Sequence, residues 1–104
     1  MEESLRLEPA ATVVDRYATA GVLLGPARIQ RGDFVTVSLA GAGRDPAFFP
    51  DPDRFDVHRV NARQNLAFAH GPHFCLGAHL ARLEARIAVE TLLDQLPQLR
   101  LDDR

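Results

Sequence analysis

The chain opens on Glu2–Leu7, where apolar and charged positions fall at helical spacing, and Pro9 ends the run because proline cannot continue a helix. This predicts the end of a helix. Strand-like patterns follow. Thr12–Ala18 is β-branched at Thr12, Val13 and Val14, and Gly21–Leu24 and Arg28–Ile29 flank a Gly25-Pro26 turn. Phe34–Leu39 alternates after Gly32-Asp33, so short strands in small hairpins are expected. Between Gly41 and Asp56, Pro46, Pro50 and Pro52 exclude both a regular helix and a central strand. The aromatics Phe48, Phe49 and Phe55 in this stretch call for burial, which predicts an ordered but irregular coil.

Helical periodicity returns from Ala78 to about Leu96 and stops at Pro97. His79, Arg82, Arg86, Glu90 and Asp94 form a polar stripe; Ala81, Ala85, Ala88, Val89, Leu92 and Leu96 fill the opposite side. Arg86 and Glu90 have i,i+4 spacing. Glu84 falls beside Leu80 and Ala88 and needs a partner outside the helix. So much apolar surface asks for more covering partners than 104 residues contain.

With 46% hydrophobic and 25% charged residues the composition is globular, not disordered. A net charge of -2 gives no pointer to nucleic acid or an anionic membrane. No apolar run approaches the ~20 residues of a membrane span, and MEESLRLEPA lacks the basic start and apolar stretch of a signal peptide. The expectation is a cytoplasmic protein. The single cysteine, Cys75, forms no disulfide within the chain, so it is buried, reactive or a metal ligand.

His70, His73, Cys75 and His79 lie within ten positions. A small zinc-binding module is one reading, although His70, His73 and Cys75 sit closer together than zinc-site spacings. A second reading accounts for more residues. Phe68-x-x-Gly71-x-His73-x-Cys75-x-Gly77 resembles, position for position, the Cys loop of the cytochrome P-450 family of haem-thiolate monooxygenases.

The resemblance implies haem b (iron protoporphyrin IX) as cofactor, with Cys75 as the iron ligand. An axial cysteine pushes electron density onto iron and favours O–O cleavage. Gly71 would permit a tight turn, and Gly77 would let backbone approach the porphyrin without a Cβ. Amides at the start of the Ala78 helix would face the sulfur and stabilise its negative charge. Phe68 would shield the sulfur from water, and His73 would take a haem propionate.

Upstream, Glu3-Ser4-Leu5-Arg6 is similar to the family's Glu-x-x-Arg motif, and Pro52-Asp53-Arg54-Phe55 to the motif whose Arg completes a Glu–Arg–Arg network. That implies a structural network of Glu3, Arg6 and Arg54, the planar Arg fork suiting bidentate pairing with Glu3. Arg16 sits where the family places a second propionate contact. Arg44-Asp45-Pro46 leads into what resembles the family's meander.

The resemblance runs from Glu3 to about Leu101, and residues 1–104 are read as one partial domain. The implied fold is α+β, the C-terminal part of the cytochrome P-450 fold. Its parts are the end of the Glu-x-x-Arg helix, short β-hairpin strands, the meander, the Cys loop and a long C-terminal helix. The family's oxygen-activating helix, with its acid–threonine pair, precedes the Glu-x-x-Arg helix and is not in the chain. The chain thus reads as the C-terminal portion of a monooxygenase, not competent by itself. The implied partners are a small organic substrate and a ferredoxin-type or flavin redox partner, with Arg63, Arg82 and Arg86 near the Cys-loop face meeting acidic surfaces. The alternative is a non-catalytic remnant or helper of the same fold, although such helpers typically lack the cysteine that is intact here.

Overall fold

The computed structural model describes residues 1–100; the far end of the expected resemblance, at Leu101, lies outside the described residues. Helix α1 spans Glu2–Leu7, with Glu2 and Glu3 in its first turn and Arg6 in its last, both charges complementing the helix dipole. Strand β1 (Val13–Tyr17) pairs antiparallel with β4 (Phe34–Ser38), and the ribbon carries a smaller hairpin of β2 (Val22–Leu24) and β3 (Ala27–Ile29). Gly25, at φ +57, makes the tight turn between β2 and β3 that a side chain would strain. Tyr17 meets Phe34 edge-on at 5.2 Å across the outer pair, and Thr36 donates to Asp15 at 2.8 Å.

A short helix, α2 (Leu39–Gly43), follows β4 directly and was not expected from the sequence. Two glycines in five residues hide its helical character. Ser38 starts it as N-cap, its hydroxyl accepting from the Gly41 amide at 2.9 Å. Leu39 and Gly43 then bury it beside α1, so closely that a Cβ on Gly43 would collide with the Arg6 carbonyl oxygen. From Arg44 to Asn61 the chain is irregular, in agreement with its prolines. Of the meander aromatics, Phe49 alone is buried, with Phe48 packed edge-on against it at 4.9 Å. Phe48 and Phe55 stay about half exposed, contrary to the expectation that all three are covered.

Two single 3₁₀ turns, Ala62–Gln64 and Gly71–His73, precede α3 (Ala78–Gln95). The face of α3 that meets the rest of the chain is Ala78, Ala81, Arg82 and Ala85. This rotates the expected picture: Arg82 is half-buried, whereas Ala88, Val89, Leu92 and Leu96 are exposed. The few buried apolar residues, Leu7, Leu39, Phe49, Ala62 and Ala78, lie where α1, α2, the meander and the head of α3 converge. The radius of gyration is 17.3 Å, against roughly 13 Å for a compact chain of ~100 residues, because the hairpins and α3 project from this small core. No helix among the described residues is long and apolar enough to cross a membrane.

Candidate functional site

At the centre of the small core stands a charge cluster. Arg6 is 1% exposed and spends its guanidinium on five acceptors. Its Nε and Nη2 grip both carboxylate oxygens of Glu3, at 2.8 and 2.7 Å. Its remaining bonds run to the carbonyls of Gly43, Pro52 and Arg54, at 2.6, 2.6 and 3.1 Å. Glu3 Oε1 also accepts from the Asp56 amide and from Arg59 Nε, both at 3.0 Å.

The third member of the network is therefore Arg59, not Arg54. The Arg54 side chain is exposed; its contribution is its backbone carbonyl, which accepts from Arg6 and from Arg59 Nη2. Both arginines close a turn, Arg54 donating its amide to the Asp51 carbonyl at 3.1 Å and Arg59 to the Asp56 carbonyl at 3.0 Å, but it is the Asp56 amide that is bonded to Glu3. The second turn brings the Arg59 guanidinium onto Glu3, with its Nη1 and Nη2 also holding the Pro50 and Asp51 carbonyls. Glu3's carboxyl is held down at about 2, chiefly by the Arg6 hydrogen bonds, then by the Asp56 amide and Arg59, against the opposing effect of burial.

The cysteine loop leaves this core and turns back to α3. Ala69 at φ +61 and Gly71 at φ +76 give it two left-handed positions. Gly77, at φ -82, needs no such freedom, and a Cβ there would lie 3.9 Å from Cys75 Sγ. The Cys75 amide donates to the Phe68 carbonyl at 2.9 Å, and the Cys75 carbonyl accepts from Ala78 at 3.2 Å. The thiol is thus fixed immediately before α3 and stands exposed. Phe74 and Leu76 flank it, and Leu76 is 99% exposed. A sulfur donor set amid bare apolar side chains fits a large apolar disc with a thiophilic metal at its centre.

His73 ends the 3₁₀ turn of this loop and is exposed, and Phe68 is half-buried. Arg16 lies on β1 opposite Val35, exposed, its Nη1 donating to the Asp15 carbonyl at 2.7 Å. The zinc reading does not stand. Among the described residues no three His, Cys, Asp or Glu side chains come together to hold a metal ion.

Arg82 also departs from expectation, since it is no free surface cation. Its Nε and Nη2 pair with Glu2 at 2.7 and 3.3 Å, and its guanidinium lies 4.5 Å over the Phe68 ring. Arg86 and Glu90 make the expected i,i+4 pair at 3.6 Å, and Arg63 is exposed.

The sequence matches the cytochrome P450 family model over residues 1–97. It is 52% identical over 103 residues to the cytochrome P450 monooxygenase PikC of Streptomyces venezuelae, covering 98% of this chain and 24% of PikC. Among solved structures, P450BioI in complex with hexadec-9Z-enoic acid ligated acyl carrier protein superposes with a TM-score of 0.92 at 43% identity. That match covers 98% of this chain and 26% of the other. CYP109E1 from Bacillus megaterium, in complex with testosterone, gives a TM-score of 0.91 at 35% identity, covering 98% and 28%.

The chain belongs to the cytochrome P450 family, whose members are haem-binding monooxygenases, and its elements are those of the C-terminal part of that fold. It spans about a quarter of the length of the curated relatives it matches, 24% in the case of PikC.

Proposed function

We propose that this chain is the haem-ligating part of a cytochrome P450 monooxygenase, with Cys75 as the proximal iron ligand. One observation carries the reading: an exposed thiol clamped by its own backbone between Phe68 and the head of α3, with bare apolar side chains on either side. Haem bound there supplies the redox and dioxygen chemistry that inserts one oxygen atom into an organic substrate and releases the other as water.

The chain's own residues bind, orient and exclude water. Phe68 covers the sulfur side of the loop, Gly71 sets its turn, and Gly77 leaves room beside the sulfur. His73 and Arg16 hold the propionates by charge and hydrogen bonding. Glu3, Arg6 and Arg59 keep α1 and the meander in place behind the loop. Residues 1–104 form one partial domain in this reading. The protein works in the cytoplasm on a small organic substrate, and a ferredoxin-type or flavin partner approaches the loop face near Arg63 and Arg86.

The test is reduction of the haem-loaded protein under carbon monoxide. The wild type is expected to show the red-shifted Soret band of thiolate ligation, and Cys75→Ala to lose it. A wild-type spectrum typical of histidine ligation refutes the assignment.

A further inference from the structure

Behind the Cys75 loop runs a chain of contacts joining α1 to α3. Glu2 is in the first turn of α1; Arg82 is in α3, eighty positions later, and the two side chains meet through two hydrogen bonds of 2.7 and 3.3 Å. Both are largely withdrawn from solvent, the Glu2 side chain 15% and the Arg82 side chain 28% exposed. Asn65 closes the same corner. Its Nδ2 reaches the Ala62 carbonyl at 2.7 Å and Glu2 at 3.4 Å, and its Oδ1 accepts from the Ala67 amide at 3.0 Å. The Glu2 carboxyl is lowered from its ordinary value, chiefly by the Arg82 hydrogen bonds.

Held this way, the Arg82 guanidinium stands 4.5 Å over the Phe68 ring, and the Phe68 carbonyl receives the Cys75 amide at 2.9 Å. Together Phe68, Phe74, Arg63 and Arg82 border a cleft of about 550 Å³ on this side of the loop.

We infer that Arg82, fixed by Glu2 and Asn65, is a positioning residue for the iron ligand, setting the place of the Cys75 amide and sulfur through Phe68. The inference rests on the assignment of Cys75 as ligand. The physics is direct. A cation over an aromatic face is attracted by the ring quadrupole, more strongly where water is excluded. The tether to Glu2 spares Arg82 most of the rotamer entropy that this stacking would otherwise cost. Phe68 then cannot turn without breaking the stack, and its carbonyl stays aimed at the Cys75 amide. A hydrogen bond near a metal-bound sulfur tunes both the ligand and the metal.

The experiment uses the whole haem-loaded monooxygenase of which this chain is read as a part, in four forms: wild type, Arg82→Leu, Phe68→Leu and the double variant. The readouts are the fraction of reduced carbon monoxide complex lacking the thiolate band, the haem midpoint potential, and haem content with circular dichroism as a folding control. Arg82→Leu is expected to raise the fraction without thiolate ligation about tenfold, the equivalent of one partly desolvated cation–π contact. It is also expected to move the potential.

In the double variant the Arg82→Leu effect is expected to vanish, because both changes act through one ring. Should Arg82→Leu fail to load haem, Arg82→Lys is read the same way; it keeps the charge but loses the bidentate hold on Glu2, and an increase of about threefold is expected. A wild-type thiolate band left unaltered by these variants, or effects that simply add in the double variant, overturns the inference alone. A wild type without that band overturns the ligand assignment and the inference with it.

Discussion

Replacing Arg59 by leucine is the sharpest probe of the charge cluster, because the sequence motif points to a different arginine. Arg59 is 7% exposed at its side chain and makes four hydrogen bonds. Three go to carbonyls at the surface of the meander, where water can replace them at little cost. The fourth goes to Glu3, which is 3% exposed and cannot recover it from solvent.

Losing one partner of a buried ion pair costs about 3–5 kcal/mol. Arg6 still neutralises Glu3 after the change, so the low end applies and about 3 kcal/mol is expected. For an m-value near 2 kcal/mol/M in urea this moves the unfolding midpoint down by about 1.5 M, with haem retention falling in parallel. Arg54→Leu, which removes an exposed side chain and keeps the carbonyl, is expected within about 0.5 kcal/mol of wild type. The assay is urea unfolding of the whole haem-loaded monooxygenase of which this chain is read as a part, followed by far-UV circular dichroism. A large loss for Arg54→Leu beside a neutral Arg59→Leu would return the network to the arginine of the motif.

The remaining predictions concern pH, two glycines and the chain by itself. Glu3 titrates at about 2 in the fold against 4.5 ordinarily, so its stabilisation is present in full above about 4.5 and is lost as pH falls toward 2. The amount is about 3 kcal/mol, and Glu3→Gln should flatten the dependence of unfolding free energy on pH across that window. Gly43→Ala places a Cβ on the Arg6 carbonyl oxygen, backbone that cannot step aside, and should destabilise by about 2 kcal/mol or more in the same urea assay. Gly71→Ala meets no atom within 4 Å but imposes a left-handed conformation on a residue with a Cβ, costing about 1–2 kcal/mol and weakening haem retention measurably. The 104-residue chain purified alone is expected to aggregate, to hold haem below one equivalent and to form no product in an NAD(P)H-coupled assay. Its reason is exposed apolar surface on α3 and both hairpins, Leu23, Leu24, Leu80 and Leu93 among it.

Local order was the legible part of this sequence. Prolines and alternation located α1, the four strands, the irregular meander and α3, because each depends on neighbours within a few positions. Helix α2 escaped because its stability comes from the Ser38 cap and from packing on α1, which override two unfavourable glycines. The site was legible in its outline and not in its third arginine. Arg54 and Arg59 are five positions apart and each closes a turn, on Asp51 and on Asp56, but only the Asp56 turn is itself anchored on Glu3, through the Asp56 amide. Arg82 was misplaced for a similar reason: its helical wheel shows a polar residue on a polar stripe, while its partner Glu2 lies eighty positions away. Only the fold brings the two together.

Arg6 also constrains the order in which this structure can assemble. Its acceptors lie 3, 37, 46 and 48 positions along the chain, and Glu3 waits for groups 53 and 56 positions off. A chain that collapses α1 onto α2 before the meander arrives would bury a guanidinium with some of its donors unsatisfied, a state disfavoured by desolvation. Loop closure of the meander must therefore coincide with burial, giving a late, all-or-none step dominated by contacts of long sequence separation. The arginine behaves as a checkpoint. A meander shifted in register would leave it without the Pro52 and Arg54 carbonyls, so one buried guanidinium selects a single register of the meander.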